Sequence, residues 1–329
     1  MGRHVAGDVP ALDRIVDDAC ACIGREIDAL GVPSLAGVVL GGGYGRGEGG
    51  VKRACRRGDC AGQPANCECS LSNDLDFFAI TEEGAPEAKS VAAIGEAIGP
   101  VAKKWTKELG VDVDFAVKTP WRLRHDEERI MVQELVRGYF DVAGTAGVQL
   151  FAGIRKVDAA DIPWMEAARL LMNRGMGLLF AMPGPAADTR RTPDFINRNI
   201  NKCILGAGDA RLVARHAYAW RAEDRAGALG DSLYAAAVEW KFRPGDDAVC
   251  SWDAAREAWL DALDEVKCGS ANARSPRQAV RWLVRRRTVG ELRTLGLDPV
   301  ERILDNVARH VRNRRAPDAV LMRDWEIFN

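Results

Sequence analysis

Three short apolar runs, each bordered by glycines or aspartates, limit what this chain of 329 residues can fold into. The first, Gly37 to Leu40, leads into the glycine loop GGGYGRGEGG, Gly41 to Gly50, and the others are Leu75 to Ile80 and Val111 to Val117. Their length and their β-branched and aromatic residues predict strands. Between the second and third, Ala85 to Leu109 has a helical pattern long enough to cross over a sheet.

The remaining periodicity predicts an α+β fold. Apolar residues recur at helical spacing in Ala11 to Ile27 and Glu127 to Phe140, and Val148 to Phe151 is a further short strand-like run. After Gly153 helical patterns dominate, so we predict an α/β-type domain with a small mixed sheet in residues 1–155 and an all-α domain in residues 156–329. The helices expected there are Pro163 to Met182, Phe195 to Trp220, Ser232 to Trp240, Trp252 to Val266, Pro276 to Arg287 and Val300 to Val311.

Composition excludes several classes of protein. The formal net charge of -1 argues against a generally basic surface, although arginines are concentrated in residues 274–315. The amino terminus lacks the apolar core of a signal peptide and no segment has the length of a membrane span, so we expect a cytoplasmic protein with no membrane partner. The four histidines lie far apart in the sequence, which argues against histidine-based metallohydrolase chemistry. They are His4, His125, His216 and His310.

Two pairs of aspartates carry the strongest chemical signal. Asp74 and Asp76, like Asp112 and Asp114, stand two residues apart on a predicted strand, so each pair presents its carboxylates to one face. Like charges this close need cations, and magnesium takes such oxygen ligands together with water and phosphate. If the two strands are neighbours, three aspartates can hold two metal ions for in-line displacement at phosphorus.

The glycine loop supplies the complementary half of a nucleotide site. Around Gly42 and Gly43 no Cβ atoms block the approach of backbone N–H groups to a triphosphate, and a helix beginning near Tyr44 would add its positive end. Arg46 could offset charge on a leaving pyrophosphate. Two alternatives for Arg46 are the capping of a helix and an ion pair with Glu48.

With these residues in this order, the chain resembles the polymerase β nucleotidyltransferase superfamily, whose signature is a glycine pair, an Asp-x-Asp strand and a third acidic residue. Gly42, Gly43, Asp74, Asp76 and Asp114 stand at those positions. The loop motif is similar to that in the nucleotidyltransferase domain of bacterial nitrogen-signalling uridylyltransferases. The resemblance covers roughly the first 155 residues and includes no phosphohydrolase or regulatory domain.

The resemblance implies that residues 1–155 are a catalytic domain and residues 156–329 a helical domain for nucleotide and acceptor. Asp74 and Asp76 would bind the magnesium ion that bridges the triphosphate, and Asp114 would complete a second site and help deprotonate the attacking hydroxyl. Asp112 remains the alternative for that last role. Lys202, on a segment similar to the helix that such enzymes lay over the nucleotide, would lie near the phosphates. The expected activity is transfer of a nucleoside monophosphate, AMP from ATP, to a hydroxyl of a small molecule or a protein, releasing pyrophosphate.

One departure from the family pattern is the polar insert, residues 51–70, between the glycine pair and the first aspartate. It contains four cysteines within fifteen positions, which indicate a structural zinc site as one interpretation. The spacing lacks paired C-x2-C units, so a surface hairpin is the alternative. The four cysteines are Cys55, Cys60, Cys67 and Cys69.

Two alternative interpretations concern the class of ligand that the chain binds. Arg277, Arg281 and Arg285 recur every four residues on a predicted helix and could track a polynucleotide, which leaves nucleic acid open as an acceptor but not favoured over a solvated helix face. GRGEGG, Gly45 to Gly50, matches a GxGxxG dinucleotide fingerprint and would make the protein a non-catalytic dinucleotide binder. Paired acids and a polar insert where a helix should begin argue against that second interpretation.

Overall fold

The computed structural model describes residues 3–7, 9–53, 69–184, 192–273 and 299–328. The chain divides into two compact units, Met1–Val157 with Lys241–Pro244, and Asp158–Trp240 with Gly245–Asn329. The architecture is mixed α and β, and the described strands all belong to the first unit. The short segment Lys241–Pro244 belongs to the first unit although the sequence prediction assigned it to the second domain.

A four-stranded mixed sheet lies at the centre of the first unit. Its order is β5-β4-β1-β6, with β1 antiparallel to both of its neighbours and β4 parallel to β5. A separate antiparallel pair, β2 and β3, joins the two ends of the predicted cysteine-rich insert. The small mixed sheet and the three predicted strands β1, β4 and β5 are confirmed. The described strands are β1 (Leu35–Leu40), β2 (Val51–Arg53), β3 (Cys69–Leu71), β4 (Leu75–Thr81), β5 (Val113–Lys118) and β6 (Phe140–Gly144).

Helices cover both faces of this sheet. On one face α1 and α3 pack their apolar stripes, including Ile23 and Ile94, against Leu40 and Phe77. On the other face Phe78 and neighbouring strand residues pack against α4, α5 and α6. The predicted helices α1 and α3 are confirmed. Both were predictable because apolar residues recur at helical spacing over several turns. The helices of this unit are α1 (Pro10–Leu30), α2 (Gly42–Gly45), α3 (Glu87–Leu109), α4 (Pro120–His125), α5 (Ile130–Arg137) and α6 (Gly147–Leu150).

One strand was predicted in the wrong place. Val148 to Phe151 does not form a strand but lies on and just after α6, whose first N–H, from Gly147, donates to the Asp141 carboxylate at 2.7 Å. The last strand is β6, at the end of the segment predicted as a helix, which is helical only over α5. A four-residue apolar run is too short for its spacing to distinguish helix from strand.

The second unit is helical over its described residues. Its core is centred on Trp259, which is fully buried and donates from Nε1 to the Leu171 carbonyl at 2.9 Å. Gly175 leaves room for that indole, because a Cβ atom there would lie 2.8 Å from it. The helices are α7 (Trp164–Phe180), α8 (Pro193–Ala214), α9 (Ala222–Leu229), α10 (Ser232–Phe242), α11 (Trp252–Ala273), α12 (Pro299–Asn313) and α13 (Ala319–Phe328).

Most of the helices expected in this half are present, with differences at their ends. The helix predicted to run to Trp220 stops at Ala214, just before His216 adopts a positive φ of 54°. Helices α9 and α13 were not predicted. The predicted helix Pro276 to Arg287 lies outside the described residues. Across the described parts of both units, no helix combines the length and apolar character needed to cross a membrane.

Candidate active site

Four aspartates lie at the amino ends of the parallel strands β4 and β5. The register pairs Leu75 with Val113 and Asp76 with Asp114. Leu75 and Val113 are buried in the core on one face, so Asp76 and Asp114 share the opposite face. Asp74 and Asp112 immediately precede their strands, and the Leu75 N–H donates to the Asp112 carbonyl at 2.8 Å. The fold therefore brings the two predicted acidic pairs side by side.

Like charges act on each other in this group. The pKa of Asp114 is raised, first by partial loss of hydration and then by the negative charges of Asp74 and Asp112. Asp112 and Asp114 are exposed, whereas Asp74 and Asp76 are half-buried. A cation bound here would relieve this repulsion, as expected where carboxylates are gathered for binding.

The glycine loop lies directly against the second aspartate. Gly42 has a φ of +59°, and a Cβ atom at this position would overlap the Asp76 carboxylate. The preceding residue, Gly41, donates its N–H to the Asp76 carbonyl at 2.8 Å. At Gly43 the nearest atom to an added Cβ would be the Glu48 carbonyl oxygen, at 3.3 Å, so no atom would overlap it. Gly42 is therefore the position at which only glycine allows the loop to approach the acids.

Tyr44 occupies a different position from the one predicted for a nucleotide ligand. Its side chain is fully buried, and its hydroxyl donates to the Gly50 carbonyl at 3.0 Å and accepts from the Ser72 N–H at 3.1 Å. The ring also lies against Gly49, where a Cβ atom would overlap it. The side chain therefore links the glycine loop to the start of the acidic segment and has no exposed surface.

Arg46 forms ion pairs that favour the structural alternative for this residue. Its guanidinium lies 3.1 Å from Glu134 and 3.6 Å from Glu48, and its side chain is only 15% exposed. Lys241 binds the same Glu48 carboxylate at 2.8 Å. The arginine therefore neutralises carboxylates beneath the loop. A role on the leaving pyrophosphate is not supported by this placement, because the guanidinium charge is already matched.

Lys241 is the important residue of this region that sequence reasoning missed, whereas Glu48 was considered there only as an ion-pair partner of Arg46. Glu48 is 2% exposed and joins two cations, one from its own loop and one from a segment far along the chain. A glutamate inside a glycine loop is a visible signal of a buried ion pair. Nothing in the sequence signals that Lys241 is its partner, because the two lie 193 residues apart.

Several predicted residues belong to other elements or lie outside the described chain. Lys202 is exposed on α8, in the second unit. Cys69 is the first residue of β3, and its side chain is half-buried. The other cysteines of the insert and the arginine stripe lie outside the described residues, so the zinc and polynucleotide interpretations stay predictions; these residues are Cys55, Cys60, Cys67, Arg277, Arg281 and Arg285.

The four aspartates are the residues in this region that could hold a metal ion. In the part of the chain that the structure describes, no group of three or more His, Cys, Asp or Glu side chains is already gathered to hold a metal ion. Magnesium, however, needs only one or two protein carboxylates when phosphate and water fill its other positions. The residues that fit this requirement are Asp74, Asp76 and Asp114, with Asp112 beside them.

The sheet topology is unlike that of a dinucleotide-binding unit. Such a unit requires the strand before the glycines to run parallel to the next strand, with a helix between them. Here β1 is antiparallel to both neighbours, and the glycine loop leads into the short strand β2. The GxGxxG interpretation therefore lacks its structural context.

Comparison with protein-family models, curated proteins and solved structures finds no match to this chain.

Proposed function

We propose that this chain is a metal-dependent nucleotidyltransferase that resembles the polymerase β superfamily. It would transfer a nucleoside monophosphate, AMP from ATP, to a hydroxyl of a small molecule or a protein and release pyrophosphate. The observation that carries the proposal is the parallel pairing of Asp76 with Asp114, together with the Gly42 backbone held against the Asp76 carboxylate.

Under this proposal the aspartates and the glycine loop have separate roles. Asp74, Asp76 and Asp114 would hold two magnesium ions, which supply neutralisation of phosphate charge when bound. The backbone N–H groups of Gly42 and Gly43 begin a short helix, where such groups have no intrahelical acceptor, and they would donate to phosphate oxygens. The raised pKa of Asp114 suits a carboxylate that accepts a proton from the attacking hydroxyl.

The reaction needs no covalent intermediate on the protein. The acceptor oxygen would form a bond to the α-phosphorus as the bond to the bridging oxygen of pyrophosphate breaks. The proton of the hydroxyl passes to a carboxylate. Most of the rate enhancement would come from positioning and charge neutralisation, as in other phosphoryl transfers.

The proposal is tested with ATP labelled on the α-phosphorus, Mg²⁺ and a cell extract as the source of acceptors. We expect label to appear on an acceptor with the wild-type chain and to fall by about 100-fold or more with Asp76→Asn, since metal-held charge stabilisation contributes several kcal/mol. Asp18→Asn is the matched control, because Asp18 is an exposed aspartate on α1.

An acceptor-independent measurement accompanies the assay. Binding of Mn²⁺, followed by electron paramagnetic resonance with a non-hydrolysable ATP analogue, should weaken in Asp76→Asn and stay unchanged in Asp18→Asn. Full labelling activity or unchanged Mn²⁺ binding in Asp76→Asn would overturn the assignment of these carboxylates.

A further inference from the structure

An amino-terminal segment, residues 3–6, lies along the end of the glycine loop. The Gly49 N–H donates to the His4 carbonyl at 3.0 Å, and the Ala6 N–H donates to the Gly49 carbonyl at 2.9 Å. Val5, between them, forms a parallel β-bridge with Gly49 and is fully buried. The amino-terminal segment therefore fixes the loop backbone at Gly49.

Two aspartates on α1 hold the amino-terminal segment in place. The Asp13 carboxylate accepts the backbone N–H groups of Arg3 and His4, both at 2.8 Å. It also accepts the Val5 N–H at 3.1 Å. Asp17, one turn later on the helix, lies 3.0 Å from the Arg3 guanidinium. Because α1 packs its apolar stripe into the core of the first unit, the segment is anchored to a helix of that core.

The His4 side chain connects this anchor to the glycine loop. It is 1% exposed, and its Nδ1 lies 3.2 Å from the Tyr44 carbonyl oxygen on α2. Its Nε2 lies 3.0 Å from the Asp17 carboxylate. Both partners are acceptors, so a ring that carries an N–H on each nitrogen donates to both. The ring also makes an edge contact with Phe140, with the centroids 5.0 Å apart.

His4 contacts the glycine loop at two points. Its side chain reaches the Tyr44 carbonyl, two residues after Gly42, and its backbone carbonyl reaches Gly49 near the end of the loop. The second approach is close, because a Cβ atom at Gly49 would lie 2.7 Å from the His4 carbonyl oxygen. The position of Gly42 against the Asp76 carboxylate therefore depends on where His4 holds α2.

We propose that His4 is a positioning residue for the glycine loop. Its Nδ1 contact with the Tyr44 carbonyl holds α2 in the place that keeps Gly42 against Asp76. A loop held in one conformation does not have to be ordered when a nucleotide binds, so the contact strengthens nucleotide binding without touching the nucleotide. This effect on binding rests on the proposed function, whereas the effect on the loop backbone does not.

Two variants separate the two hydrogen bonds of the ring. His4→Asn places an amide donor near the position of Nδ1 and keeps the contact with the Tyr44 carbonyl. His4→Gln places the amide near the position of Nε2 and keeps the contact with Asp17 instead. Both variants lose the ring and its packing against Phe140, so each is the matched control for the other.

Hydrogen exchange of the full-length chain, followed by mass spectrometry, measures the loop itself. Peptides that span Gly41 to Gly50 include the N–H groups of Gly45 and Glu48, which both bond within the loop. We expect these peptides to exchange about tenfold faster in His4→Gln than in His4→Asn, because only His4→Gln loses the hydrogen bond to the Tyr44 carbonyl. Peptides from α3 are the internal control and should exchange equally in both variants.

The order of the two variants distinguishes positioning from simple anchoring. If the ring served only to attach the amino-terminal segment to α1, loss of the Asp17 contact would matter more, and His4→Asn would exchange faster. Equal exchange of the loop in the two variants, or faster exchange in His4→Asn, would overturn the positioning role. Should either variant fail to fold, ¹⁵N NMR of the wild-type histidines decides, since an Nδ1 of His4 without a slowly exchanging proton would also overturn it.

Nucleotide binding is measured separately on the same variants. The affinity for Mn²⁺ and a non-hydrolysable ATP analogue should be about tenfold weaker in His4→Gln than in His4→Asn, following the order of loop exchange. If loop exchange differs as expected while the wild-type chain binds no nucleotide, the proposed function fails and the positioning role of His4 stands. Equal nucleotide affinity of the two variants would overturn the link between His4 and binding.

Discussion

The two ends of the parallel pair β4 and β5 carry opposite charges. At the amino end, Asp114 faces the negative charges of Asp74 and Asp112, and its pKa is raised. At the carboxyl end, Lys118 faces Arg129 and Arg122, and its pKa is lowered. In both places the charged form is disfavoured by loss of hydration and by neighbours of the same sign. Crowding of like charges lowers the stability of the folded protein at both ends.

The Glu48 network shows the opposite arrangement in the same unit. There a buried carboxylate lies between Arg46 and Lys241, so each charge has its complement. Removing a charge from a compensated network should destabilise the protein, whereas removing one from a like-charge cluster should stabilise it. This difference separates compensated charges that maintain the fold from like charges that oppose it.

The largest expected effect is at Glu48. We expect Glu48→Gln to lower the free energy of unfolding by about 3 kcal/mol, because two cations lose the negative charge between them in a buried site. Urea denaturation measures the change, and Glu96→Gln, an exposed acid on α3, should shift it by less than about 0.5 kcal/mol. Equal stability of the two variants would contradict the assignment of Glu48 as a compensated structural charge.

The next effect tests the contact between the glycine loop and the acidic end. Gly42→Ala should cost about 2 kcal/mol and abolish nucleotide binding, because the methyl group overlaps the Asp76 carboxylate and φ is positive. Gly43→Ala is the matched control and should cost clearly less, since its methyl group meets one carbonyl oxygen at 3.3 Å. Thermal unfolding and Mn²⁺-ATP analogue binding report both changes. If Gly43→Ala proves the more damaging, the loop is not placed as described.

The smallest effects compare the two charged ends directly. We expect Lys118→Met to raise the free energy of unfolding at neutral pH by about 1 kcal/mol, because the folded protein holds that proton less tightly than the unfolded chain. Asp114→Asn should raise it by only a few tenths of a kcal/mol, since Asp114 is exposed and screened by solvent. Both gains should shrink at high salt, which weakens repulsion between like charges.

The gains in the free energy of unfolding of these two variants depend on pH in opposite directions. The raised pKa of Asp114 means that wild type loses stability as pH rises from the unfolded pKa to the folded one, so the gain of Asp114→Asn is absent at low pH and complete above that window. The lowered pKa of Lys118 means that the gain of Lys118→Met disappears as pH rises through the folded pKa of the lysine. Denaturation curves across pH check both, and a loss of stability in either variant at neutral pH would contradict the comparison.

The local sequence pattern was enough to predict part of the fold and part of the candidate site. Alternation along β4 and β5 determined that Asp74 and Asp76 share one face, as do Asp112 and Asp114, because side chains two apart on a strand point the same way. Repeating apolar spacing determined α1 and α3, since several turns of a helix provide many consistent positions. The short apolar run at Val148 covers only four positions, too few to show helical spacing, and it was wrongly predicted as a strand.

Only the tertiary structure decided which faces meet. Parallel pairing placed Asp76 opposite Asp114, burial turned Tyr44 inward, and Glu48 took its partner from Lys241. Sequence periodicity specifies the direction of a side chain relative to its own backbone, but the identity of its neighbour is set by packing between segments far apart in the chain.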